Sequence, residues 1–203
     1  MRWMRFHFIA LASLAIASPV LAADAPAAEK PAAKVGDVLE YNRRFVTIDC
    51  KRWEVKEVNK DGYTVTQCDD NLAYIDAETT TVARIMSKSG SKLLEFKPHS
   101  PTLVFPLQIG KKWPGDYEGY RASNRTSWKS HVTCEAKAFE AVKVAAGEFQ
   151  AYRIECQDAW ESTPFHGFND TVNWYAPELG TVVKSTNTSQ GDFDFELAGY
   201  AAH

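Results

Sequence analysis

Residues 192 to 197 read DFDFEL, with Phe193, Phe195 and Leu197 on one side of an extended chain and Asp192, Asp194 and Glu196 on the other. Such alternation marks a strand with one packed face and one wet face. The pattern recurs. Leu39, Tyr41 and Phe45 alternate with polar residues in 39–47, and RWEVKEVNKDGYTVTQC (52–68) reads as a hairpin turning at Asp61-Gly62. Segments 79–86 and 92–96 suit an antiparallel pair turning at Ser89-Gly90-Ser91, and 113–120, 127–139, 171–176 and 181–189 read as further strands. HSPTLVFPLQIG (99–110), with two prolines and a glycine, predicts a loop or an edge segment. Turn signals recur about every 8 to 15 residues and no long amphipathic helix intervenes. The expected class is all-β: a single curved antiparallel sheet or an open β-barrel, with few or no long helices.

The longest regular pattern lies between residues 132 and 156. A hairpin turning near Ala145 places Ala138 opposite Tyr152, Ala136 opposite Ile154 and Cys134 opposite Cys156. The same parity carries Val132, Val142 and Val144 onto one apolar face. Phe149 falls on the wrong parity, which one extra residue at Gly147 would correct, since glycine tolerates a bulge. The register predicts a Cys134–Cys156 disulfide, leaving Cys50 for Cys68. In the 52–68 hairpin, Cys68 falls nearer Val55 or Trp53 than Cys50, so Cys50 must fold back over the strand end to reach it.

The ends of the chain change the picture by assigning a compartment. Arg2 and Arg5 precede an apolar run from Phe6 to Ala17, Pro19 follows, and Val20-Leu21-Ala22 supplies small residues for cleavage after Ala22. That is a secretory signal peptide over 1–22; its apolar run is shorter than the ~20 residues a membrane span needs. No cysteine follows for lipid attachment. Residues 23–34, rich in Ala, Pro and Lys, predict a flexible leader, and 35–203 a single antiparallel β domain. The chain has 23 basic and 26 acidic side chains, and losing Arg2 and Arg5 leaves 21 basic, a net charge of −5. No basic patch favours nucleic acid. Four cysteines without a C-x-x-C suit two disulfides in a periplasmic or secreted protein.

Three segments carry a family resemblance: FPLQIGKKW (105–113), VKVAAGEFQAYRI (142–154) and WYAPELGTVVK (174–184). Their order resembles a group of uncharacterised exported bacterial proteins, whose fold is similar to the open barrels of the lipoprotein carriers LolA and LolB. The resemblance covers mainly the C-terminal half and implies a concave, apolar-lined groove. The absence of a lipid-attachment cysteine departs from LolB-like members.

Candidate chemistry is sparse. The chain has no G-x-S-x-G elbow, H-E-x-x-H pair or P-loop run, and His99, His131, His166 and His203 lack ligand spacing, so neither metal nor cofactor is expected. Ser130 and His131 are adjacent and point to opposite faces of a strand. Asp69-Asp70 and the Asp192, Asp194, Glu196 row read as solvated positions. The aromatics are more suggestive: Trp53, Phe105, Trp113, Tyr120, Trp128 and Trp174 are the candidates to line a pocket for an apolar small molecule, lipid or acyl chain. The leading expectation is an exported non-enzymatic protein binding or carrying such a ligand, its mature form not spanning a membrane. The alternatives are an envelope protein–protein interaction module with a filled core and a hydrolase whose site the sequence does not display.

Overall fold

The computed structural model describes residues 25–42, 50–187 and 194–202. Among these residues there are twelve strands and no helix: β1 (Val38–Tyr41), β2 (Arg52–Lys60), β3 (Tyr63–Cys68), β4 (Asn71–Asp76), β5 (Val82–Ser87), β6 (Lys92–Lys97), β7 (Lys112–Arg121), β8 (Thr126–Val144), β9 (Gly147–Ser162), β10 (Phe165–Ala176), β11 (Thr181–Asn187) and β12 (Phe195–Ala201). Each strand pairs antiparallel with the next, and β1 pairs with both β2 and β12, so the sheet closes into an up-and-down barrel. The all-β class stands, and the barrel is closed where an open one was expected. The expected signal peptide, residues 43–47 of the expected 39–47 strand, 188–189 of the 181–189 strand and 192–193 of the 192–197 strand lie outside the described residues.

Local chemistry explains where strands begin and turn. Asp61 and Gly62 take φ of 52° and 82°, the paired positive values a tight hairpin turn requires. The strand expected from Thr79 starts only at Val82, because the Asp76 carboxylate accepts hydrogen bonds from the amides of Glu78 and Thr79 and holds them in a turn. β4 escaped the periodicity reading: both of its faces carry apolar residues, Leu72 and Tyr74 on one and Ala73 and Ile75 on the other.

In the β8–β9 hairpin Cys134 faces Cys156 and Ala136 faces Ile154, as the pattern predicts. The extra residue enters at Lys137 and not at Gly147, so Ala138 meets Arg153 and Phe139 meets Tyr152. The bulge divides the apolar row in two. Val132, Cys134 and Ala136 stay on the barrel interior with Ile154 and Tyr152. Val142 and Val144 turn to the other face, where they pack with Phe149, Ala151, Ala176, Val183 and Leu197. Phe149 thus sits opposite Val142 without a correction at Gly147. A bulge can do this because side chains alternate with period two, so one inserted residue exchanges the faces beyond it.

Both disulfides join the expected partners, Cys134 to Cys156 and Cys50 to Cys68, with Cα separations of 4.1 and 5.2 Å. Cys68 lies opposite Trp53, and Cys50 reaches it from beyond the start of β2. It anchors a third apolar cluster with Ala73, Ile85 and Leu94.

The Ala/Pro/Lys segment differs from its expectation. Within 23–34, residues from 25 onward lie against the barrel instead of forming a flexible leader. Ala28 exchanges two backbone hydrogen bonds of 2.9 and 2.8 Å with Leu107, and it is only 5% exposed. The Tyr152 hydroxyl donates to the Pro26 carbonyl, and Lys30 pairs with Glu78 at 2.8 Å. Composition indicated flexibility, but small residues are also those that pack closely beneath another chain. This strap and the 98–111 crossover place Ala28, Leu103 and Leu107 inside one end of the barrel, against Trp113, Ile154 and Tyr175.

Removing the bridge that spans 22 residues, by C134A/C156A, should destabilise the protein by about 3 kcal/mol on the loop-closure model. In a chain of this size that is a fall in Tm of about 6–12 °C. Peptide mapping without reduction should recover the two sequential pairs; a Cys50–Cys156 link would contradict the hairpin register.

Candidate functional site in the barrel lumen

Twelve strands make a wider ring than inward side chains alone can fill, which they do at about eight. The strap and crossover occupy one end of this barrel. A cavity of about 1130 Å³ remains, extending from Lys30–Lys34 of the strap to Arg121 and Asn124 at the β7–β8 turn. Its walls differ in chemistry. From β2 to β6 it is lined by Trp53, Val55, Ile75, Val82, Leu94 and Phe96; from β10 and β11 by Asn169, Thr171, Asn173, Ser185 and Asn187. Asn173 and Ser185 are 8% and 7% exposed, so amide and hydroxyl groups are held in the interior. The lumen is amphipathic.

Between the walls lies a buried polar group. Tyr117 on β7 donates its hydroxyl to the Asp158 carboxylate on β9. Ser130 Oγ and Asp158 Oδ1 are also buried, and neither closes a hydrogen bond of good geometry. Burial raises the Asp158 carboxyl above its ordinary range, partly offset by the Tyr117 hydroxyl. Burial first, and the neighbouring Asp158 charge second, push the Tyr117 phenol up as well.

Two positions further along the same face of β7 the side chain is absent at Gly119. The Trp128 indole lies over it, so close that a Cβ there would meet the ring at 2.1 Å. Arg121, the next inward residue, holds its guanidinium carbon 5.6 Å from the Trp128 ring. Gly119 therefore lets the indole lie flat on the wall and present its other surface to the lumen.

Of the six aromatic candidates, Trp53 and Trp128 line this cavity. The other four are placed elsewhere. Phe105 packs edge-on to Tyr175, 5.4 Å between centroids, within the plugged end. Trp113 is 5% exposed and donates its indole N–H to the Pro101 carbonyl at 2.9 Å, tying the crossover to β7. Tyr120 has the outward parity of β7 and lies beneath Lys92. Trp174 is on the face of β10 opposite Asn173, with its indole N–H on Glu140 at 2.9 Å. The structure adds Tyr117, Arg121, Asp158 and Trp160 to the lumen. The spacings Tyr117-x-Gly119-x-Arg121 and Asn169-x-Thr171-x-Asn173 were visible signals, because period-two polar positions share a face.

No protein-family model and no curated protein matches the chain. Solved structures do resemble it. One, from Bacteroides fragilis and described as exported with a YmcC-like fold, is 13% identical at a TM-score of 0.51, over 87% of this chain and 100% of its own. The hypothetical lipoprotein YmcC of Escherichia coli is 14% identical at a TM-score of 0.50, over 82% of this chain and 84% of its own. At these identities the comparison establishes the fold. The likeness is to YmcC-like barrels and extends to no particular carrier such as LolA or LolB.

Two measurements check this geometry. Gly119→Ala displaces the indole and should cost about 1–3 kcal/mol in denaturant unfolding. The same change in a Trp128→Ala background should cost much less, and equal costs would refute the contact. The second concerns pH. Because burial raises the folded-state pKa of Asp158, its stabilising contribution is complete below the ordinary carboxyl value of 3.8 and is lost as pH rises through the folded value. Asp158→Asn keeps an acceptor for Tyr117 and cannot ionise. It should melt above the wild type near about pH 8, with the margin closing as pH falls toward about 4; a margin that widens on acidification would refute the assignment.

Proposed function

We propose that this is an exported, non-enzymatic protein that binds or carries an apolar ligand, a lipid or acyl chain, in its barrel lumen. The carrying observation is the cavity of about 1130 Å³, lined by Trp53, Val55, Ile75, Val82, Leu94 and Phe96 from β2 and β4 to β6, with Thr64 and Thr66 of β3 between them. Its size suits a small-molecule or lipid-sized occupant, and its polar side consists largely of neutral amides and hydroxyls, which suit orientation of that occupant more than chemistry. The reading rests on the lumen itself.

Export is supported by the signal peptide and by the pairing of all described cysteines in disulfides, which persist outside the reducing cytosol. The description of the Bacteroides protein as exported and of YmcC as a lipoprotein points the same way. The outward rows support a barrel in water: Lys129, His131, Glu135 and Lys137 face out on β8, where a lipid-facing barrel needs an apolar band about 25 Å tall.

A second reading has an observation of its own. At the β9–β10 hairpin Phe165 and Phe168 are 70% and 62% exposed, a surface suited to an envelope protein partner.

The deciding experiment is mass spectrometry of the mature protein purified gently from the periplasm, under native conditions and then after solvent extraction. The carrier reading expects a reproducible excess mass that extraction releases as an apolar compound. A clean empty mass, with no uptake of added fatty acid or phospholipid, overturns it. Recovery of an envelope protein on the empty barrel, lost in F165S/F168S, would establish the second reading instead.

A further inference from the structure

We propose that the lumen selects a single-chain amphiphile with an anionic head, a carboxylate or phosphate, and that Arg121 receives the head. The inference rests on the lumen being a ligand site and goes further, naming the chemical class of the occupant and its orientation.

One charge on the lumen wall is unbalanced. Arg121 lies on the inward face of β7 and lines the cavity where it approaches the β7–β8 turn. Its Nε is buried and has no hydrogen-bond partner. Among the described residues no carboxylate pairs with it, whereas Arg52 has Glu54 and Arg153 has Glu155. Its contact is the Trp128 ring, whose centre lies 5.6 Å from the guanidinium carbon, while the Nε–H stays unpaired. Burial lowers its pKa with no acidic neighbour to offset the effect. The lumen carboxylate Asp158 is bonded to Tyr117, and Tyr117 precedes Arg121 by four residues on one strand, a rise of about 13 Å.

A half-buried arginine without a counter-charge carries a desolvation cost, and its planar fork matches two oxygens of a carboxylate or phosphate. Neutral polar groups stand beside it: Thr126 is its cross-strand partner, and Asn124 lines the same end of the cavity. The apolar wall starts at its other flank. Leu94, 4% exposed, is paired directly with Arg121 across β6 and β7, and Phe96 follows two residues deeper. A head on Arg121 therefore directs its chain along Leu94 and Phe96 into the barrel.

The test uses the full mature protein after solvent delipidation, titrated with dodecanoate, dodecyl phosphate and 1-dodecanol, with binding read by calorimetry and native mass spectrometry. The wild type should bind at least one of the two anions tenfold or more tightly than the alcohol, and the preferred anion distinguishes a fatty-acid head from a phosphate head. Arg121→Met should remove that preference while leaving the alcohol's affinity within about twofold. In the ligand-free protein Arg121→Met should also raise Tm, since it replaces an unpaired charge with an apolar side chain of similar reach; a structural arginine would give a fall. Equal affinity for alcohol and anions in the wild type, or an anion preference retained in the variant, overturns the role of Arg121 and leaves the lumen reading intact. Failure of all three ligands to bind overturns both.

Discussion

The structure depends on one set of backbone hydrogen bonds, those by which the four-residue strand β1 joins β2 on one side and β12 on the other. An antiparallel meander has two edges, and each edge exposes unpaired amides and carbonyls. Closing the ring satisfies both at once. It also encloses a lumen, because the ring circumference is set by the number of strands and not by the side chains available to fill it. The cavity is thus a consequence of closure at this strand number.

The fold handles the excess interior in two ways. At one end it is filled: the strap pairs with the crossover through Ala28 and Leu107, and the two lie beneath Trp113, Ile154 and Tyr175. Elsewhere the lumen stays open and is given two kinds of wall, with Asn173 and Ser185 facing the aliphatic and aromatic residues of β2 to β6. A filled core does not need a guanidinium whose buried Nε finds no partner, which is unfavourable.

Much of the frame was legible in the chain. Alternation located most strands, and the Cys134–Cys156 register followed from Ala136 opposite Ile154. The reading failed where period two is interrupted. Nothing local distinguishes Lys137 from its neighbours as the bulge, while Gly147 was the residue with the obvious conformational licence; packing of Val142 and Val144 on Leu197 and Val183 selects the former. β4 was missed because apolar residues on both faces erase alternation. The aromatic list mixed lumen, plug and outer face, because a tryptophan's parity depends on the bulges between it and the nearest anchored pair: Trp53 and Trp128 face the cavity and Trp174 does not.

By itself the sequence determined the all-β class and the hairpin register that sets Cys134 opposite Cys156. Each is a local property, written in alternation, turn residues and spacing over tens of residues at most. Only the tertiary structure decided that the ring closes, that Ala28 of the Ala/Pro/Lys strap is buried at one end, and that Arg121 is left without an acid beside Leu94 and Phe96. Those features join residues distant along the chain, such as Val38 with Ala201 and Ala28 with Leu107. Their energies depend on what surrounds each group once the barrel has formed, and no window of the sequence contains that neighbourhood.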